Sequence, residues 1–160
     1  MDGNRHLTIV TNSPEETERA GRIIGSCARA GLYVGLRGCL GAGKTVLVRG
    51  IARGLDIDDY IVSPTFQLMR EYSGREKLFH LDFYRLGTAG DAVDLDIAGC
   101  LSEGIVAVEW SDLFEEIGGD DHLVISLEWT GESGRRISFE RATGIGLDIV
   151  KSLESEYSSR

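Results

Sequence analysis

The stretch LYVGLRGCLGAGKTVLVRG, residues 32–50, determines the fold prediction. Its first six residues are mostly apolar, which is typical of a buried parallel strand. A glycine-rich loop follows, and KTVLVRGIARG, residues 44–54, predicts a helix that ends near Gly54. A strand, a glycine loop and a helix in this order form the context in which such a loop binds phosphate. The stretch therefore predicts an α/β fold with an anion site between strand and helix.

The loop itself satisfies the pattern G-x-x-x-x-G-K-[ST] from Gly38 to Thr45. Glycines let the backbone turn its N–H groups toward a phosphate, and the helix N-terminus adds positive potential. In such a P-loop the side chain of Lys44 reaches the β- and γ-phosphates and the hydroxyl of Thr45 ligates Mg²⁺. The alternative is a glycine-rich turn with an incidental lysine. The predicted nucleotide-binding residues are Gly38, Cys39, Leu40, Gly41, Ala42, Gly43, Lys44, Thr45 and Val46.

A P-loop also needs a carboxylate near the metal, and two acids follow apolar runs. Glu109 ends GIVAVE, and Asp82 lies within FHLDFYR. A charge that closes a buried strand needs a partner, whereas Asp82 could also be an ordinary surface acid. Because Mg²⁺ uses few protein ligands, we predict Thr45, Glu109 and Asp82 as its ligands. Lys44, Asp82 and Glu109 are the predicted catalytic residues.

Several further residues have two interpretations. Ser63, Pro64 and Thr65 follow the P-loop helix, so they are either a switch loop that senses the γ-phosphate or a plain turn. Trp110 either packs in the core beside the site or acts near the nucleotide. Arg85 either contacts phosphate or pairs with an acid.

The rest of the chain alternates strands and helices. Residues 6–11, 104–110, 122–129 and 135–142 predict strands, and residues 65–72 and 77–86 predict a hairpin that turns at Ser73 and Gly74. Residues 12–31 predict a helix with Ser13 as N-cap, Pro14 in its first turn and Glu16 completing a capping box. Residues 89–101 predict an irregular helix. We expect one P-loop NTPase domain over 1–160, with a core at about 5–141, a C-terminal helix at about 145–157 and a mixed sheet flanked by helices.

Composition excludes several function classes. The net charge of −9 disfavours a free-standing nucleic-acid binder, and the acidic residues 91–96 are either a solvated helix face or a docking surface for a basic partner. Three distant cysteines disfavour a zinc site or a disulfide framework. No apolar run approaches the roughly 20 residues that span a bilayer, and no signal peptide is evident, so we expect a cytoplasmic protein without membrane contact.

Four motifs together resemble the bacterial TsaE (YjeE) family. GCLGAGKT, SPTF, HLDFYRL and VEWSD occur in this order, and the similarity covers about residues 7–140. The resemblance implies an ATPase that binds ATP and Mg²⁺, is slow alone and is stimulated by partners. Those partners would be TsaD and TsaB, which transfer a threonylcarbamoyl group to N6 of adenosine 37 in tRNAs that read ANN codons. It implies that tRNA is reached only indirectly, through this complex.

The resemblance also implies residue roles. Lys44 and Thr45 would bind phosphate and Mg²⁺, Glu109 would be the second metal ligand and Asp82 a further acid for hydrolysis. Thr65 and Trp110 match the switch threonine and the motif tryptophan. Less directly, Glu15 or Glu16 and Arg135 would approach the base or ribose.

The chain departs from the family pattern at two places. Cys39 stands where aspartate is usual, and its thiol is either oxidisable or simply a tolerated small residue. The second departure is the acidic segment 111–121, which does not indicate which residues form the partner surface.

Two other functions use the same loop. A small-molecule kinase would need arginines near the transferred phosphoryl group, but the segment after residue 85 is acidic. A nucleotide-gated switch without useful turnover would have an identical P-loop. Turnover measured with and without partners distinguishes the switch from an ATPase, and a phosphate-acceptor screen identifies a kinase.

Overall fold

The structure is a computed structural model that describes residues 6–64, 68–83, 95–110 and 119–158. Thr65, Arg85 and most of the acidic segments 91–96 and 111–121 lie outside the described residues. So do residues 65–67, the first three residues of the predicted hairpin's first strand.

The described residues form seven strands and four helices that follow the predicted order. The strands are β1 (Leu7–Thr11), β2 (Leu32–Arg37), β3 (Met69–Ser73), β4 (Lys77–Asp82), β5 (Gly104–Glu109), β6 (Asp121–Trp129) and β7 (Arg135–Thr143). The helices are α1 (Pro14–Cys27), α2 (Lys44–Gly54), α3 (Ile97–Glu103) and α4 (Ile145–Ser158). None of the described helices combines the length and apolar character that crossing a bilayer requires.

All seven strands belong to one mixed sheet, in the order β1-β7-β6-β2-β5-β4-β3. The inner strands β6, β2, β5 and β4 pair in parallel. β3 pairs antiparallel with β4, which confirms the predicted hairpin, and β1 and β7 form an antiparallel edge on the other side. Because β2 lies at the centre of the sheet, the loop that follows it emerges in the middle of the row formed by the carboxyl ends of the parallel strands.

The two faces of the sheet are covered differently. Residues of α1, α2 and α4 pack on one face in the larger apolar cluster, which includes Leu36, Leu47 and Ile105. The smaller cluster on the opposite face includes Val108 of β5 and Ile97 of α3. Successive strand residues point to opposite faces, so the even-numbered residues of β4 and the odd-numbered residues of β5 share the α2 face.

Helix α1 begins as its sequence predicts, with one difference in its cap. The hydroxyl of Ser13 accepts a hydrogen bond from the backbone N–H of Glu16 at 3.2 Å. The carboxylate of Glu16 accepts from the backbone N–H of Asn12 at 2.7 Å, not from that of Ser13 as a standard capping box would require. The helix ends at Cys27, four residues before the predicted stop at Gly31.

Helices α1 and α2 approach each other through glycine. A Cβ atom added to Gly21 would lie 2.3 Å from the Leu47 carbonyl oxygen, and one added to Gly50 would lie 2.0 Å from that of Glu18. Gly25 and Gly54 make equivalent approaches one turn further along. The two backbones are therefore in direct contact, and α1 holds the helix that follows the glycine loop.

Candidate nucleotide site

The predicted phosphate loop joins the central strand to α2. β2 ends at Arg37, and α2 begins at Lys44. Gly38, Gly41 and Gly43 have φ values of +148°, +80° and +103°, which side-chain-bearing residues rarely adopt. The N–H of Ala42 donates to the Cys39 carbonyl at 3.1 Å and closes a tight turn. The glycines of the motif are thus required by the backbone path of the loop.

The side chain of Lys44 lies back across this loop. Its Nζ donates to the carbonyl oxygens of Gly38 at 2.6 Å and Cys39 at 2.9 Å, and the residue is 5% exposed. The ammonium also lies 4.1 Å from the ring centroid of Trp110, a cation–π distance. Trp110 has a φ of +63°, a sparsely populated conformation for a tryptophan. Trp110 is therefore beside the predicted phosphate-binding lysine, not only in the core.

The predicted metal ligands Thr45 and Glu109 are in direct contact. The hydroxyl of Thr45, in the first turn of α2, lies 3.1 Å from each carboxylate oxygen of Glu109. Glu109 is the last residue of β5 and is 4% exposed. Its carboxylate therefore sits at the carboxyl end of the neighbouring parallel strand, as the sequence predicts.

His80 is a member of the site that the sequence interpretation did not assign. Its Nε2 lies 2.6 Å from Oε2 of Glu109, and the imidazole is fully buried. The signal available in the sequence was spacing, because His80 precedes Asp82 by two residues in a strand and therefore shares its face.

Asp82 lies beside Glu109 because their strands are neighbours. The two residues are Cα partners at the carboxyl ends of β4 and β5. Asp82 is 3% exposed, and its Oδ2 accepts a hydrogen bond from the Ser63 hydroxyl at 3.0 Å. Pro64 follows and is buried, whereas Thr65 is outside the described residues. The structure thus links the first residue of the predicted switch to a predicted catalytic acid.

These residues surround one cavity of about 370 Å³. A small pocket beside it, of about 30 Å³, extends between the start of α1 and the loop. The larger cavity is lined by Leu40, Gly41, Gly43, Lys44, Thr45, Val46, Ser63, Asp82, Glu109, Trp110 and Arg135.

The N-terminal acids and Arg135 occupy different places. Arg135 lines both cavities and donates from Nε to the Ala42 carbonyl at 2.9 Å. Glu16 is engaged in the cap of α1, and Glu15 faces a separate shallow groove beside Arg19. Of the three residues predicted near the base or ribose, the structure brings only Arg135 to the loop.

Oxygen ligands dominate the part of the cavity near Thr45. The Thr45 hydroxyl and the carboxylates of Glu109 and Asp82 are hard donors of the type that Mg²⁺ prefers. Within the described ranges no three His, Cys, Asp or Glu side chains cluster as a metal-binding group. This donor set fits an ion that keeps several waters and takes few protein ligands.

Comparisons with known proteins agree with this geometry. Residues 11–137 match the model of the family described as "Threonylcarbamoyl adenosine biosynthesis protein TsaE". The chain is 36% identical to the tRNA threonylcarbamoyladenosine biosynthesis protein TsaE of Treponema pallidum over 133 residues, which is 82% of this chain and 98% of that one. It is also 36% identical to the protein of the same name from Bacillus subtilis, over 84% of this chain and 85% of the relative.

A solved structure described as "Crystal structure of Bacillus subtilus YdiB" superposes with a TM-score of 0.81. The two chains are 28% identical, and the superposition covers 98% of this chain and 99% of the other. The mixed sheet with its glycine loop at the end of the central strand is a P-loop NTPase fold. The chain belongs to the TsaE family.

Proposed function

We propose that this protein is a Mg²⁺-dependent ATPase that acts in the threonylcarbamoyladenosine modification of tRNA. The proposal rests chiefly on one observation: Thr45, next to the phosphate-loop lysine, contacts both oxygens of a buried carboxylate at the end of β5. The names of the relatives support the assignment to threonylcarbamoyladenosine biosynthesis.

The phosphate chain of the nucleotide would be bound by groups of the glycine loop and by Lys44. The loop amides and the start of α2 provide an anion site for the phosphate chain, and Lys44 supplies positive charge. To meet a phosphate, the ammonium exchanges its bonds to the carbonyls of Gly38 and Cys39 for bonds to phosphate oxygens. Trp110 keeps the ammonium near the cavity during that exchange.

The acids of β4 and β5 would support hydrolysis. Thr45 and Glu109 would hold Mg²⁺, which supplies charge neutralisation at the phosphates when bound. Asp82 would orient the attacking water or the metal's water shell, since its carboxylate faces the same cavity. Ser63 donates to Asp82, so residues 63–65 would respond to what occupies the cavity.

The partners in this proposal are TsaD and TsaB, which would hold the tRNA. The net charge of −9 is in keeping with a subunit that does not grip RNA by itself. We place this complex in the cytoplasm, where tRNA modification occurs.

The test measures ATP hydrolysis by the purified protein, alone and with TsaD, TsaB and tRNA. Lys44→Ala is the blank, because it removes the phosphate-binding charge. Lys151→Ala, on the exposed surface of α4, is the matched control. We expect slow hydrolysis alone, stimulation by the partners, and loss of both in Lys44→Ala only.

Other outcomes would contradict the proposal in distinct ways. Hydrolysis indifferent to TsaD, TsaB and tRNA would remove the tRNA-modification role. Nucleotide binding without turnover in the complete complex would indicate a switch. Transfer of phosphate to a small acceptor would indicate a kinase.

A further inference from the structure

The hairpin between β6 and β7 lies against the glycine loop. Trp129 ends β6 and Arg135 begins β7, and the two are partners across the strand pair. The N–H of Thr130 donates to the Gly134 carbonyl at 3.1 Å and closes the turn. Directly opposed residues project to the same face of a sheet, so both side chains extend in the same direction.

Both side chains bind carbonyl groups of the loop. The indole N–H of Trp129 donates to the Gly41 oxygen at 3.0 Å. Arg135 donates from Nε to the Ala42 oxygen at 2.9 Å and from Nη2 to the Gly41 oxygen at 3.3 Å. Three hydrogen bonds therefore converge on two consecutive peptide groups. We call Trp129 and Arg135 the loop clamp.

Peptide planarity turns these contacts into control of the loop's N–H groups. In a trans peptide the carbonyl of one residue and the N–H of the next point in opposite directions. Holding the Gly41 carbonyl fixes the Ala42 N–H, which completes the turn to Cys39. Holding the Ala42 carbonyl directs the Gly43 N–H away from Arg135.

The loop has a particular need for such restraint. Gly38, Gly41 and Gly43 all have positive φ, and glycine loses more conformational freedom on ordering than any other residue. A site whose groups are ordered beforehand pays less of that entropy when its ligand binds. We propose that Trp129 and Arg135 are positioning residues that hold the loop in its phosphate-binding conformation before nucleotide binds. This inference rests on the nucleotide function proposed above.

The first test uses the free protein and needs no nucleotide. Trp129→Phe removes the indole N–H but keeps an aromatic ring, and Trp129 is 58% exposed, so the fold is retained. Arg135→Lys keeps the charge but loses the fork that reaches two carbonyls. Arg136→Lys is the matched control, because Arg136 is paired with Glu128 at the surface. We expect the Ala42 amide, which donates to the Cys39 carbonyl, to exchange hydrogen about threefold to tenfold faster in the first two variants only.

The second test measures Mg–ADP affinity by calorimetry in the same three variants. We expect dissociation constants about threefold to tenfold higher for Trp129→Phe and Arg135→Lys, with melting temperatures lowered by no more than about 4 °C, and no change of either quantity for Arg136→Lys. A role for Arg135 only in contacting base or ribose would leave Trp129→Phe at wild-type affinity.

The outcomes separate the clamp from the nucleotide function. Unchanged exchange and unchanged affinity in Trp129→Phe and Arg135→Lys would overturn the clamp. Faster exchange with unchanged affinity would overturn its contribution to binding. Faster exchange in the two variants, together with no binding of Mg–ADP by the wild-type protein, would reject the nucleotide function and keep the loop clamp as a restraint on the loop.

Discussion

Nε2 of His80 lies 2.6 Å from Oε2 of Glu109, and both side chains are almost completely removed from solvent. A buried carboxylate is costly unless hydrogen-bond donors surround it, and here His80 and the hydroxyl of Thr45 provide them. An ionised carboxylate can only accept, so Nε2 of His80 donates to Glu109, and Nδ1 is buried with no hydrogen-bond partner in the described part of the chain. If Thr45 turned to a Mg²⁺ ion, as proposed above, His80 would remain as the donor that holds Glu109.

Replacing His80 tests this contact through stability. His80→Met removes the donor, whereas His80→Gln has similar length and keeps an N–H near the position of Nε2. We expect the free energy of unfolding to fall by about 1–3 kcal/mol in His80→Met and by less in His80→Gln. Urea unfolding measures both, and equal losses in the two variants would mean that the donor is not what stabilises the site.

Glu109→Gln tests the proposed metal ligand. The substitution keeps the shape of the side chain but removes the charge that attracts Mg²⁺. We expect the Mg²⁺ concentration that gives half-maximal ATP hydrolysis to rise about tenfold or more. Glu128→Gln, which changes a surface acid of β6, should leave it unchanged. An unaltered Mg²⁺ requirement in Glu109→Gln would place the metal ligand elsewhere.

Asp82→Asn tests the proposed role in hydrolysis. The amide keeps the size of the side chain and can still accept from Ser63, so ATP affinity should change little. A carboxylate that orients the attacking water typically contributes about a hundredfold or more to the rate. We therefore expect kcat to fall by that order in the complex with TsaD and TsaB. Normal turnover there would remove Asp82 from the mechanism.

Gly50→Ala tests the contact between α1 and α2. Alanine inside a helix is ordinarily favoured over glycine by about 1 kcal/mol. Here the added Cβ would lie 2.0 Å from the Glu18 carbonyl oxygen, so the helices must separate. We expect a net loss of about 1–3 kcal/mol in thermal or urea unfolding. Gly131→Ala is the control, since a Cβ there meets no atom within 4 Å.

Tyr33 predicts a loss of stability at alkaline pH. Burial raises the pKa of its phenol, and the positive charge of Arg37 opposes that rise only in part. The phenol of the unfolded chain ionises near pH 10. The contribution of the neutral Tyr33 phenol to the free energy of unfolding is therefore complete below about pH 10, and it is lost as the pH rises toward the raised pKa of the folded protein. We expect a slope of at most about 1.4 kcal/mol per pH unit in the unfolding free energy above pH 10.

Tyr33→Phe should reduce that alkaline slope, because it has no proton to lose. Tyr60→Phe changes a phenol that is 76% exposed and serves as the control. Equal slopes in Tyr33→Phe and the wild type would show that other groups cause the alkaline loss.

Local features of the fold were predictable, and long-range ones were not. The path through Gly38 and Lys44 follows from one contiguous motif, and the position of Glu109 follows from a charge that closes an apolar strand. The pairing of Asp82 with Glu109 depends on β4 lying beside β5, and strand order is decided by packing of the whole sheet.

The contacts of the β6–β7 hairpin with the glycine loop were even harder to predict from the sequence. Trp129 and Arg135 are 88 and 94 residues away from Gly41, and nothing in the local pattern of a strand end indicates which loop it will touch. The helix contact left a visible signal, because Gly21 and Gly25, like Gly50 and Gly54, are four residues apart. Spacing of that kind places small residues on one helix face.

The central position of β2 divides the surroundings of the loop into two halves. On one side, β5 and β4 bring acidic side chains toward the cavity. On the other side, β6 and β7 bring hydrogen-bond donors to the carbonyl groups of Gly41 and Ala42. On the roles proposed above, substitutions beside β5 and β4 would change hydrolysis, and substitutions beside β6 and β7 would change nucleotide affinity. The proposed hydrolysis could then become faster or slower during evolution on one side of the sheet, while the nucleotide-binding loop on the other side stays the same.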